Sequence, residues 1–146
     1  MLNIFQLDYK SRFQSWYDLR NQLKTADVKT ICCEVDKFWQ QTPLVNHYLH
    51  SSDINNWPTP WELMHDNTYC YVARGLGMYY TLVMLDIQTV DFCLALDDNR
   101  ESVAIVLVDD AKYIMNYWPD MVLNTNLQMF NITTRLDTTK LKNKVL

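Results

Sequence analysis

Residues 67–85 read Asn67-Thr68-Tyr69-Cys70-Tyr71-Val72-Ala73-Arg74-Gly75-Leu76-Gly77-Met78-Tyr79-Tyr80-Thr81-Leu82-Val83-Met84-Leu85, and they hold both glycines of the chain. Asp66 or Asn67 can cap a helix that begins at Thr68. Gly77 suits the left-handed position just past a helix end, where a Cβ would clash. The β-branched and aromatic run 79–85 that follows has the composition of a strand. The pattern predicts a helix over 68–76, closed at the glycines, and strands from there on.

Upstream, the periodicity is helical. Over 11–23, Phe13, Trp16, Tyr17 and Leu23 recur at three-to-four spacing, with Arg12, Asp18 and Arg20 facing out. Over 27–41, Val28, Ile31, Cys32, Val35, Phe38 and Trp39 form an apolar stripe opposite Lys29, Glu34, Asp36 and Lys37, and Pro43 stops the helix. A polar loop spans 44–57. Thr59-Pro60-Trp61-Glu62 then marks a helix start: Thr59 caps, Pro60 needs no amide partner, and Glu62 reaches back.

Downstream, 90–96 and 102–108 read as strands, the second apolar on both faces and so central. Asp109-Asp110 turns the chain into a hairpin partner over 112–118, ended by Pro119. Residues 127–133 add an edge strand, and 138–145 form a short terminal helix or a frayed tail. Helices first and an antiparallel meander second is the α+β order: N-terminal helices packed on a C-terminal antiparallel sheet. At 146 residues the chain suits one domain that buries a core without staples.

Net charge is −4 and no basic stripe exists beyond Lys140, Lys142 and Lys144, which argues against nucleic acid as partner. No apolar run is long enough to span a bilayer, so no membrane is expected. The four cysteines (Cys32, Cys33, Cys70, Cys93) make no CxxC pair, and the N-terminus shows no signal segment. Free thiols in a reducing cytosol are expected. EF-hand spacing, a P-loop and GxGxxG are all missing, and no cofactor is expected.

Cys70 is the most suggestive residue. Unpaired amides at a helix start favour an anion, so a thiolate there is stabilised. Ala73 and Gly77 share its helical face, and small residues let a helix press closely on a sheet. The run 67–78 resembles the nucleophile helix of transglutaminase-like, papain-like cysteine proteins: a Cys opens the helix, an Ala follows within a turn and a Leu-Gly pair closes it. The strands 102–108 and 112–118 resemble that family's next pair, where active members carry His and then Asp. Here the base position near Ser102 or Val103 holds no His, and the acid position falls on Asn116. The resemblance implies a degenerate, non-catalytic member that works through protein contacts with a partner or a second copy. It leaves one alternative: an amide or acyl hydrolase or transferase with Cys70 as nucleophile and His65 as base. The aromatic-rich, glycine-poor style, with Asn56-Trp57-Pro58-Thr59-Pro60-Trp61-Glu62-Leu63 and Asn116-Tyr117-Trp118-Pro119, also resembles small uncharacterised proteins of T4-like tailed phages. That likeness implies an accessory or virion component, in the virion or the host cytoplasm.

His47-x-x-His50 and Glu62-x-x-His65 each place two ligand types on one helical face. Di-metal bundles need the second motif twice, and it occurs once, so no metal site is expected. Trp57, Trp61, Tyr69, Tyr71, Tyr117 and Trp118 form either a binding surface or part of a Trp-rich core.

Overall fold

The computed structural model describes residues 3–45, 49–118, 121–124 and 127–146. The helices are α1 (Tyr9–Leu23), α2 (Val28–Trp39), α3 (Pro60–Asp66), α4 (Tyr71–Met84) and α5 (Thr138–Asn143). The strands are β1 (Val90–Leu96), β2 (Ser102–Val108), β3 (Tyr113–Trp118), β4 (Met121–Asn124) and β5 (Asn131–Arg135). They form one antiparallel sheet in the order β4-β3-β2-β1-β5. The expected α+β class holds, with β2 in the middle as its two apolar faces require.

Local capping sets the helix starts. Asp8 accepts the Ser11 amide at α1, and Asp27 accepts the Thr30 amide at α2. At α3 the expected reciprocal cap is present: Glu62 N donates to Thr59 Oγ1 at 3.2 Å and Thr59 N donates to Glu62 Oε1 at 3.0 Å. Asn67 ends α3 in the left-handed region, with φ 53°. The turn after β2 takes φ 57° at Asp109, 56° at Asp110 and 67° at Ala111.

The expected change of structure at Gly75 and Gly77 does not occur. α4 runs straight through both, and 79–84 is helix. Neither glycine has positive φ. They allow close approach instead. A Cβ on Gly77 would collide with the Trp39 ring, and one on Gly75 would stand 2.7 Å from Asn116 Nδ2 and 2.9 Å from the Phe92 ring. Gly77 therefore seats α2 rather than the sheet, and Gly75 seats the sheet. Tyr79, Tyr80, Thr81 and Leu82 are wholly buried. A helix buried on nearly all sides shows no amphipathic period, and its β-prone residues are overridden by packing.

α4 lies between α1 and α2 on one side and the sheet on the other. Val90, Phe92, Ala104, Val106, Val108 and Met115 meet the helices. Cys93, Ala95, Ile105, Leu107, Ile114 and Phe130 pack on the opposite face. One hydroxyl joins three helices: Thr81 Oγ1 donates to Gly77 O at 2.7 Å and accepts Trp16 Nε1 and Trp39 Nε1, each at 3.0 Å. That uses its one donor and both acceptor sites.

Two residues expected to face solvent are buried. Arg12 donates to Met64 O, His65 O and Leu7 O, tying α1 to α3. Asp36 is wholly buried on α2. Arg20 is half-buried, with its guanidinium 4.2 Å over the Trp16 ring. No helix among the described residues is long and apolar enough to cross a membrane.

Candidate functional site

Cys70 is the N-cap of α4. Its Sγ accepts the Ala73 amide at 3.4 Å, and the residue is 4% exposed. The backbone just before it is held from two sides. Val45 N donates to Tyr69 O at 2.8 Å, and Tyr69 Oη donates to Leu63 O at 2.9 Å. Burial pushes the Tyr69 phenol well up from its ordinary range.

Asn116 faces the first turns of α4 from β3. It adopts φ 68° beside a register shift in the β3–β4 pairing, a conformation that Asn tolerates better than most residues. Its Nδ2 donates to Tyr71 O at 2.9 Å and to Ala104 O at 2.7 Å, and its Oδ1 accepts Arg74 Nε at 2.7 Å. Its backbone amide donates to Asp36 Oδ1 at 2.9 Å. Thus α2, α4, β2 and β3 meet at one residue, and a side chain on Gly75 would displace its side-chain amide. Burial lowers the Arg74 pKa, and the Asp36 carboxylate opposes that shift.

The start of β2 supplies Ser102 and Val103, then the buried Ala104 whose carbonyl Asn116 holds. None of the three can take a proton from a thiol. The structure brings Asn116 to the residue after Cys70. It does not bring His65 there. His65 is exposed at the end of α3, its Nδ1 lies 3.1 Å from Asp66 Oδ1, and its ring packs edge-on against Tyr9.

Of the weak metal candidates, His47 lies outside the described residues. Glu62 is engaged in its cap, and the carbonyl of His50 accepts Trp57 Nε1 at 2.9 Å. Among the described residues no three His, Cys, Asp or Glu side chains gather as a ligand set.

The expected aromatic surface is largely core. Trp57 and Tyr69 are buried, Tyr71 is half-buried, and Trp61 is 36% exposed. Tyr117 packs edge-on against Phe130 at 4.8 Å and its hydroxyl donates to Asp97 Oδ2. Trp118 ends β3, and its side chain lies outside the described residues. A cleft of about 340 Å³ opens beside Thr68 and Ala73, walled by Asp53, Glu62 and Asp66.

The sequence reading missed Asp36, Arg74 and Gly75 as parts of this site. Asp36 had a signal: it follows Val35 at the edge of the α2 stripe and precedes Phe38 and Trp39 by less than a turn. Gly75 had another, since a helix-interior glycine costs about 1 kcal/mol against alanine and calls for a packing reason.

No family model matches the chain, and neither does any curated protein. Its fold is similar to that of LapG from Legionella pneumophila, a transglutaminase-like cysteine protease, with a TM-score of 0.72 and 16% identity over 88% of this chain and 74% of that one. The fold is therefore transglutaminase-like.

Proposed function

We propose that this chain is a non-catalytic protein-binding or structural module on a transglutaminase-like scaffold. The observation that carries it is Asn116. Where the resemblance puts the acid of a triad, an amide spends both N–H groups on backbone carbonyls and its oxygen on Arg74. An amide so engaged joins elements, and it carries no negative charge with which to stabilise a protonated base. The start of β2 supplies no base either. The half-exposed Trp61 and the acid-walled cleft beside α4 support contact with another protein. The style of the sequence supports a phage accessory or virion component, acting in the host cytoplasm or the particle.

Cys70 also supports a second function, cysteine-dependent cleavage or transfer at an amide or acyl bond. It caps α4 with its sulfur toward a backbone amide, in a fold similar to that of a cysteine protease.

Thiol alkylation separates the two. Cys33 is exposed and serves as the internal reference. For a non-catalytic module, Cys70 in the folded chain is alkylated more slowly than Cys33 at every pH. If Cys70 outpaces Cys33 at about pH 6, below the ordinary thiol range, cysteine chemistry takes the place of this proposal, and His65→Ala then shows whether His65 is its base.

A further inference from the structure

The C-terminal ends of α1 and α4 enclose a separate pocket of about 240 Å³, lined among others by Tyr17, Arg20, Lys24, Met84, Leu85 and Asp86. Met84 and Leu85 give its lining an apolar part, and Arg20 and Lys24 give it two cations. Arg20 Nε is buried and has no hydrogen-bond partner among the described residues. Its guanidinium instead lies over the rings of Trp16 at 4.2 Å and Tyr17 at 5.7 Å. Stacking fixes the plane of the group and leaves its in-plane N–H donors to find acceptors.

Cations at a helix C-terminus ordinarily serve the last carbonyls. Here the last turn of α4 is already supplied by its own chain. Leu85 N donates to Thr81 O and Leu82 O, Asp86 N to Val83 O, and Ile87 N to Leu82 O. Arg20 is therefore not needed as a cap for α4, and a buried donor without an acceptor calls for an explanation. Lys24 is exposed and makes no ion pair or hydrogen bond among the described residues. Asp86 is the one carboxylate on the rim, so the pocket keeps a net positive charge.

We propose that this pocket binds a small oxyanion, a phosphate or a carboxylate, held by Arg20 and Lys24 with its body against Met84 and Leu85. The planar guanidinium suits an oxyanion because it can present parallel N–H groups to two oxygens. Burial holds the Arg20 pKa below its ordinary value, and a bound anion would relieve that cost. The volume suits a ligand smaller than a drug-sized molecule.

The test is titration of the full chain by calorimetry at fixed ionic strength, with inorganic phosphate in one arm and succinate in the other. Saturable one-to-one binding of either anion is expected, and the arm that binds identifies the oxyanion class. Lys24→Met, an exposed change that leaves the fold intact, weakens it by about tenfold or more, the scale of one charged hydrogen bond. Arg20→Met, which keeps an apolar stem against Trp16, weakens it at least as much. Asp86→Asn tightens it. Failure of both anions to bind, or binding that Lys24→Met leaves unchanged, overturns the proposal.

Discussion

The side-chain amide of Asn116 donates to the carbonyl of Ala104 at 2.7 Å, pinning the start of β2 to β3. Because the same nitrogen also holds Tyr71 O and the oxygen accepts Arg74, loss of this side chain removes partners from one buried and two part-buried polar groups. Each unsatisfied group costs about 1–3 kcal/mol. Asn116→Leu also places a bulky residue at φ 68°, adding about 1–2 kcal/mol. A loss of about 4 kcal/mol or more is expected by urea unfolding monitored through tryptophan fluorescence. A midpoint equal to that of the parent would mean that the amide does not hold these elements together.

Thr81→Val conserves shape and removes the hydroxyl that accepts two indole N–H groups. Both donors lie in the core, where water cannot replace the partner. The substitution is expected to cost about 2–4 kcal/mol, more than a surface Thr→Val change. Thermal unfolding by circular dichroism measures it, and near-neutrality would show that the indoles find other acceptors.

Gly77→Ala sets two effects against each other. Alanine gains about 1 kcal/mol over glycine in a helix interior. The added methyl collides with the Trp39 ring, and overpacking costs about 1–3 kcal/mol. Trp39 is wholly buried and has no room to retreat, so a net loss is expected. Gly75→Ala is expected to destabilise as well, because Asn116 and Phe92 stand at 2.7 and 2.9 Å from the added carbon. Increased stability in either variant would show that α4 can shift away from its neighbours.

Asp97 shapes the acid side of the stability curve. A backbone hydrogen bond from Glu101, assisted by the Tyr117 hydroxyl and the Asn99 amide, holds its carboxyl below the ordinary value of 3.8. A folded pKa below the unfolded one gives stability that is present in full above the unfolded value. That stability is lost as pH falls through the folded pKa. Asp97→Asn should therefore lower stability near neutral pH and flatten the decline below about pH 4. Denaturant midpoints across that range test it, and parallel curves for parent and variant would exclude the linkage.

Much of the fold was legible along the chain because its causes are local. The Thr59–Glu62 capping box depends on residues three apart, and the apolar faces of β2 depend on alternation within seven residues. The acidic turn at 109–110 depends on the φ freedom of two neighbouring Asp residues. Cys70 at a helix start and Asn116 on the second strand of the hairpin were legible for the same reason.

The identity of 71–84 as one helix was not local. Its tyrosines, threonine and valine favour strand, and its glycines favour a stop. Those preferences are each worth about 1 kcal/mol or less, whereas burial of a single large side chain is worth about 1.5–3 kcal/mol. Only the assembled core shows that Gly77 is small because Trp39 lies over it, and that Gly75 is small because Asn116 does. The same holds for the site. The sequence by itself determined that a thiol opens a helix and that no histidine follows on the strands. The tertiary structure decided that the Asn116 amide is tied to Arg74, Tyr71 and Ala104, because those contacts join residues 12 to 45 positions apart, and no pattern within one element encodes them.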